Sequence, residues 1–146
     1  MKLTYKGDYS LKAILDLAMH HGGDPVTIND MAKRIDAPVK FLEQILLDLK
    51  RGGFIESRRG KVGGYLLSKP PSSILVGDVI RYIDGPIEPI SCVKEGYSQC
   101  ADAYKCVFRS IWQDVYRATS IIVDSVNFED LAFKAASSQS VNSYSI

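Results

Sequence analysis

Apolar and polar positions alternate along this chain with the period of a helix over most of its length and with the period of a strand in one stretch. Over residues 9–21, Leu11, Ile14, Leu15 and Ala18 fall at i, i+3, i+4 and i+7, which predicts a first helix with one apolar side. Gly22-Gly23-Asp24-Pro25 ends it. Thr27, with Asp30 three residues on, has the spacing of a helix start, and Ile28, Met31, Ala32 and Ile35 give the buried side of a second helix over 28–35. Asp36-Ala37-Pro38 is a turn. A third helix is expected over 38–52, with Leu42, Ile45, Leu46 and Leu49 inward and Lys40, Glu43, Gln44, Lys50 and Arg51 outward.

The next segment, Phe54 to Leu67, reads as strand, glycine-rich turn and strand, with Arg58, Arg59, Lys61, Gly60, Gly63 and Gly64 at its tip. No Lys-Ser/Thr pair and no helix start follow those glycines, so a phosphate-binding P-loop is not supported. Two short helices, a tight turn, a helix with a polar outer side and then a hairpin make the pattern of a winged helix-turn-helix. Val76, Val79, Ile80 and Ile83 predict a short fourth helix that ends at Asp84-Gly85-Pro86. Beyond Val107 an apolar stripe runs through Ile111, Val115, Ala118, Ile122 and Val126, longer than a small head needs for its own core. It suits pairing with a second chain, or packing back onto the first helix. Asn127 can cap a last short helix around 129–136.

The fold class expected is therefore mainly α, a winged helix-turn-helix with a small β-hairpin wing and a long C-terminal dimerisation helix. The units are a winged-helix DNA-binding domain (1–84), a cysteine-containing loop (85–106), the dimerisation helix with a short final helix (107–136) and a flexible polar tail (137–146). At 146 residues and 46% apolar composition, the chain can build a real core. No apolar run approaches a membrane span, and no signal-peptide stretch opens the chain, so a cytoplasmic location is expected. The net charge is only +1. Residues 1–69, however, carry 12 Lys/Arg against 8 Asp/Glu, and residues 70–146 carry 6 against 9. The basic half is the half to place against phosphate.

All three cysteines lie between Cys92 and Cys106, with seven residues between Cys92 and Cys100 and five between Cys100 and Cys106. Three thiols cannot pair off within one chain. Inert cysteines are usually buried among apolar residues, and these sit among Lys94, Glu95, Ser98, Gln99, Asp102 and Lys105. A loop with three thiolates can hold an iron–sulfur cluster, zinc or copper(I), and a single bridge plus a free thiol remains open. A thiol redox enzyme has little support: there is no Cys-x-x-Cys, and His20-His21 have no evident catalytic partner.

On Met1-Lys-Leu-Thr, Phe41-Leu-Glu-Gln-Ile45, Arg59-Gly60 with Gly63-Gly64-Tyr65-Leu66-Leu67, Val76-Gly77-Asp78-Val79-Ile80, the three cysteines and the trailing helix, residues 1 to about 136 resemble a known bacterial family. It is the winged-helix iron–sulfur regulator family that includes IscR, NsrR and CymR. The resemblance implies a homodimer whose long helices cross, bound to double-stranded DNA at an inverted-repeat operator, with no small-molecule substrate. It implies an iron–sulfur cluster, [2Fe–2S] or [4Fe–4S], on Cys92, Cys100 and Cys106. In IscR-like members a histidine stands where this chain has Arg109; in NsrR-like members an aspartate of the other subunit completes the set, and Asp8 holds that position here. Glu95 and Asp102 are rivals inside the loop, and Asp8 also suits the first turn of a helix.

The expected function is a cluster-gated, sequence-specific transcriptional regulator, a repressor, that senses redox state, nitric oxide or cluster status. The alternative is a metal-free or zinc-bound regulator that senses thiol oxidation or a protein partner. On DNA, Glu43 can accept from a cytosine amino group and Gln44 can pair with adenine, whereas Lys40 and Lys50 hold phosphate. Arg59, with Arg58 in support, enters a minor groove, and Lys61, Gly63 and Gly64 let the wing tip approach the backbone.

Overall fold

The computed structural model describes residues 1–102 and 104–144 and places among them six α-helices and one two-stranded antiparallel sheet. The order is α1 (Tyr5–Met19), α2 (Ile28–Ile35), α3 (Val39–Arg51), β1 (Ile55–Arg58), β2 (Gly64–Leu67), α4 (Val76–Asp84), α5 (Arg109–Asp124) and α6 (Phe128–Tyr144). This is the winged helix-turn-helix expected from the sequence. Helix α1 lies at the centre: α2, α3, α4, α6 and β2 all pack on it. Its Ala13, Ile14 and Leu17 are buried with Met31 of α2, with Leu42, Ile45, Leu46 and Leu49 of α3, with Ile74 and Val79 around α4, and with Phe128 of α6. No helix of the described residues is long and apolar enough to cross a membrane.

The helix-turn-helix closes on local chemistry. Thr27 caps α2, its hydroxyl accepting from the Asp30 amide at 3.2 Å. Asp36 then turns the chain in the left-handed region, at φ 52° and ψ 56°, a conformation that aspartate tolerates better than most side chains. The buried carboxylate of Asp16, only 6% exposed, accepts two hydrogen bonds from Arg34 at 2.7 and 3.0 Å and so ties α1 to α2. That contact raises the Arg34 pKa further, hydrogen bonding by Asp16 outweighing desolvation.

The wing pairs Ile55 with Leu67, Glu56 with Leu66, Ser57 with Tyr65 and Arg58 with Gly64. Val26 adds a short third edge: its amide donates to Tyr65 O at 2.9 Å and the Tyr65 amide donates back at 2.8 Å. Gly64 is required at that seam, because a Cβ there would overlap the Val26 carbonyl and its φ is +151°.

Several boundaries differ from those read in the sequence. Helix α1 starts at Tyr5 rather than near residue 9, because Thr4 caps it: the Gly7 amide donates to the Thr4 hydroxyl at 3.0 Å. The long helix starts at Arg109 rather than Val107. The last helix, capped by Asn127 through the Asp130 amide at 2.9 Å, runs on to Tyr144 instead of ending near 136. The polar tail expected over 137–146 is thus helical as far as it is described, and residues 145–146 lie outside the described residues. Ser137 and Ser138 donate to the Phe133 and Lys134 carbonyls one turn back, so their hydroxyls are satisfied on the helix itself.

Helix α5 is held firmly at one end. The Val76 amide donates to Val126 O at 3.0 Å, the Phe128 amide donates to Ile74 O at 3.2 Å, and Val123 is buried against Ile80 and Ile87. Arg81 of α4 donates to both carboxylate oxygens of Asp124, at 2.7 and 2.8 Å, over Gly77, where any Cβ would overlap Asp124. The hydrogen bond from Arg81 holds the Asp124 carboxyl below the usual carboxylate range. A lowered folded-state pKa gives stability that is present above the ordinary value of 3.8 and is lost as pH falls through the lowered one. Asp124→Asn is therefore expected to cost on the order of 0.5–1 kcal/mol at pH 7, discounted for solvent exposure. In urea unfolding, the gap between Asp124→Asn and the native chain should close as the pH is taken below the carboxylate range.

Candidate nucleic-acid interface and cysteine loop

The recognition helix α3 turns Leu42, Ile45, Leu46 and Leu49 into the core and leaves Lys40, Glu43, Gln44 and Lys50 exposed. Its 13 residues make a rod ~20 Å long, which fits a major groove. Three contacts fix its direction. Lys6 of α1 pairs with Asp48 at 2.5 Å. Hydrogen bonding by Lys6 holds the Asp48 carboxyl below its ordinary range, against a smaller desolvation cost. Tyr9 of α1 meets Phe41 edge to face, with ring centroids 5.6 Å apart. Lys50 Nζ donates to Ser57 Oγ at 2.7 Å and so joins α3 to the wing. Gln44 donates to Asp48 at 3.4 Å, a long bond that leaves its amide available to a base edge.

At the wing tip Arg59, Gly60, Lys61 and Val62 are exposed, and Gly63 and Gly64 lie half-buried at its root. The two arginines differ. Arg58 faces Glu56 at 3.7 Å, whereas Arg59 makes no ion pair among the described residues. Lys40, Glu43, Gln44 and Lys50 of α3 and Arg58, Arg59 and Lys61 of the wing are all exposed, and the Lys50–Ser57 bond joins the two elements.

The cysteine loop leaves the end of α4 through Gly85 and Pro86 and returns to α5 at Arg109. A single 3-10 turn spans Ser91–Val93. Otherwise the loop is held by local bonds, such as Tyr97 N to Lys94 O at 3.2 Å and Cys106 N to Asp102 O at 2.9 Å. All three thiols are free; Cys92 is half-buried and Cys100 and Cys106 are exposed. Arg109 Nε donates to the Cys92 carbonyl at 3.3 Å and ties the loop to the start of α5. Among the described residues, no three His, Cys, Asp or Glu groups stand close enough to hold a metal ion, and Ala103 of the loop lies outside them. Asp8 is in the first turn of α1, where its carboxylate pairs with Lys12 at 2.7 Å. That hydrogen bond raises the Lys12 pKa. Among the described residues, Asp8, Glu95 and Asp102 form no group of three metal-ligating side chains with the thiols.

Residues 3–134 match the family model described as "Rrf2: Iron-dependent Transcriptional regulator". The chain belongs to the Rrf2 family. An rrf2-like HTH-type transcriptional regulator of Rhodobacter capsulatus is 38% identical over 136 residues, which cover 88% of this chain and 91% of that one. The HTH-type transcriptional regulator IscR of Yersinia pseudotuberculosis is 34% identical over 131 residues, 90% of this chain and 79% of that protein. The structure of CymR, the global cysteine regulator of B. subtilis, superposes with a TM-score of 0.77 at 33% identity, covering 92% of this chain and 98% of CymR. This Rrf2 chain is accordingly a DNA-binding transcriptional regulator and not an enzyme.

Sequence reasoning missed the residues that hold the Rrf2 recognition helix in place. Lys6 and Asp48 are 42 positions apart, and Thr4 and Asp84 are 80 apart, so no periodicity joins them. Only the Thr4 cap had a local signal, a hydroxyl three residues before Gly7. With Arg58 partly engaged and Arg59 free, Arg59→Ala is expected to weaken duplex binding about tenfold and to lower the log–log salt slope by about 0.9. Arg58→Ala should do less on both counts; fluorescence anisotropy across a salt series measures both.

Proposed function

We propose that this Rrf2 chain is a homodimeric repressor whose DNA binding is gated by an iron–sulfur cluster held on Cys92, Cys100 and Cys106. The observation that carries this reading is the set of three free thiols on one loop at the root of α5. The donor chemistry fits: thiolates are the ligands of such clusters, two of the three are solvent-exposed, and the loop between them has little regular structure to unmake. When bound, the cluster supplies a centre that oxygen or nitric oxide can attack and that changes with redox state.

The chain's own residues would do the rest. Cys92, Cys100 and Cys106 would draw the loop together between α4 and α5, with Arg109 holding the Cys92 end. Asp8 of the second subunit would complete the ligand set after leaving Lys12, and a carboxylate there is harder and more labile than a thiolate, as suits a sensor. Dimerisation would use the exposed apolar side of α5, where Ile122 is 64% exposed and Ile111 and Val115 are exposed with it, together with Val107 just before the helix, 74% exposed. Such an apolar stripe on a monomer marks an interaction surface. Two heads related by a two-fold axis would read an inverted repeat, with Glu43 and Gln44 on base edges, Lys40, Lys50 and Lys61 on phosphate, and Arg59 in the minor groove over Gly63 and Gly64. A second reading, thiol-based sensing without iron or with zinc, is favoured by the exposure of Cys100 and Cys106.

Anaerobic purification separates the two. The cluster reading expects brown protein with matched iron and sulfide, colour lost in Cys92→Ala, and faster cluster loss in Asp8→Ala. Protein that stays colourless after reconstitution would overturn it and leave the thiol reading. For the dimer, Ile111→Glu together with Ile122→Glu should yield a folded monomer in sedimentation. A dimer that survives both changes would place the interface elsewhere.

A further inference from the structure

We infer that Asp84 is a positioning residue for DNA binding: the last residue of α4 sets the recognition helix from a distance, through the first turn of α1. The inference rests on the family's DNA-binding role and not on the cluster. Asp84 stands immediately before the Gly85-Pro86 step into the cysteine loop. Its carboxylate accepts from the Thr4 amide at 2.9 Å and from the Thr4 hydroxyl, and Thr4 is the N-cap of α1. The fit leaves no room for a side chain beneath it, since a Cβ at Gly7 would overlap the carboxylate. Thr4 therefore does two jobs at once: its hydroxyl donates to Asp84 and accepts from the Gly7 amide.

The same turn of α1 holds α3. Lys6, two residues past the cap, pairs with Asp48 on α3, and Tyr9, one turn further, packs edge to face on Phe41. One turn before Asp84 on α4, Arg81 grips Asp124 on α5. Consecutive turns of α4 thus bind the long helix with a cation and the α1 cap with an anion. A displacement of the loop root or of α5 reaches Thr4 through α4 and reaches α3 through Lys6 and Tyr9. Asp84 and Thr4 are on α4 and at the start of α1, away from α3 and the wing, and Asp48 accepts from Gln44, so Asp84 affects DNA without touching it.

The test uses the full chain and a duplex selected in vitro by the native protein. Asp84→Asn keeps the shape but not the charge, and Gly7→Ala displaces the carboxylate by its added methyl while favouring the helix. Each is expected to lower duplex affinity about tenfold, with the thermal midpoint within a few degrees of native. Thr4→Ser, which keeps donor and acceptor, should bind as the native chain does. Because the relay runs in series, Asp84→Asn combined with Asp48→Asn should lose no more affinity than the weaker-binding single variant. Native affinity in Asp84→Asn or Gly7→Ala, or additive losses in the double variant, would overturn the inference. Should Asp84→Asn fail to fold, Gly7→Ala alone gives the reading. A native chain that binds no duplex would instead sink the DNA-binding reading itself.

Discussion

Every other part of this fold depends on the burial of one side of α1. Ala13, Ile14 and Leu17 are fully or almost fully removed from solvent, and they are covered from several directions by helices that do not all cover one another. Helix α1 is therefore the shared reference for α2, α3, α4 and α6. Small residues make that sharing workable: Ala13 and Ala18 let neighbours close in, and Gly7 leaves space for a carboxylate from α4. Apolar packing of this kind favours compactness but says little about angle. The angles are fixed at the rim of the core by directional contacts, Asp16 with Arg34, Lys6 with Asp48, and Asp84 with Thr4.

The arrangement separates tasks by chain order. The first half builds the helix-turn-helix and the wing and is the basic half. The second half carries the thiols and the exposed apolar side of α5. The two halves meet at α4, which packs on α1 and on α5, and at α6, which packs on α1. The thiols and the polar side of α3 thus lie on different elements.

Much of this was legible in the sequence because the signals are local. The apolar repeats gave α2, α3 and α4 nearly to the residue, Thr27 and Asn127 showed where helices start, and the glycines and cations of the wing marked its tip. What escaped has physical reasons. The first turn of α1 carries Gly7 and few apolar residues, so the stripe began only at Leu11. The serine-rich end of α6 reads as a loose tail until its hydroxyls are seen to turn back on their own helix. The cysteines were legible as chemistry, since three thiols in fifteen residues have few uses. Pairing of Asp8 with Lys12 was within reach, being an i, i+4 contact on one helix. Contacts such as Thr4 with Asp84 were not, because they exist only once α1 and α4 are packed.

The uneven attachment of α5 makes it a lever. Its last turn is bolted to the head by a bidentate ion pair and Val123, with two backbone bonds at Val126 and Phe128 just beyond it, whereas its first turn bonds to the loop through Arg109, at Cys92 and Cys106. Sixteen residues at 1.5 Å each put ~24 Å between the two ends. A swing of about 5° at the bolted end moves the free end by about 2 Å, the scale of helix shifts at subunit interfaces. The mechanical advantage runs both ways: a large excursion at the thiols becomes a small, stiff rotation where α5 meets α4, and small, stiff rotations are what a tightly packed core transmits without coming apart.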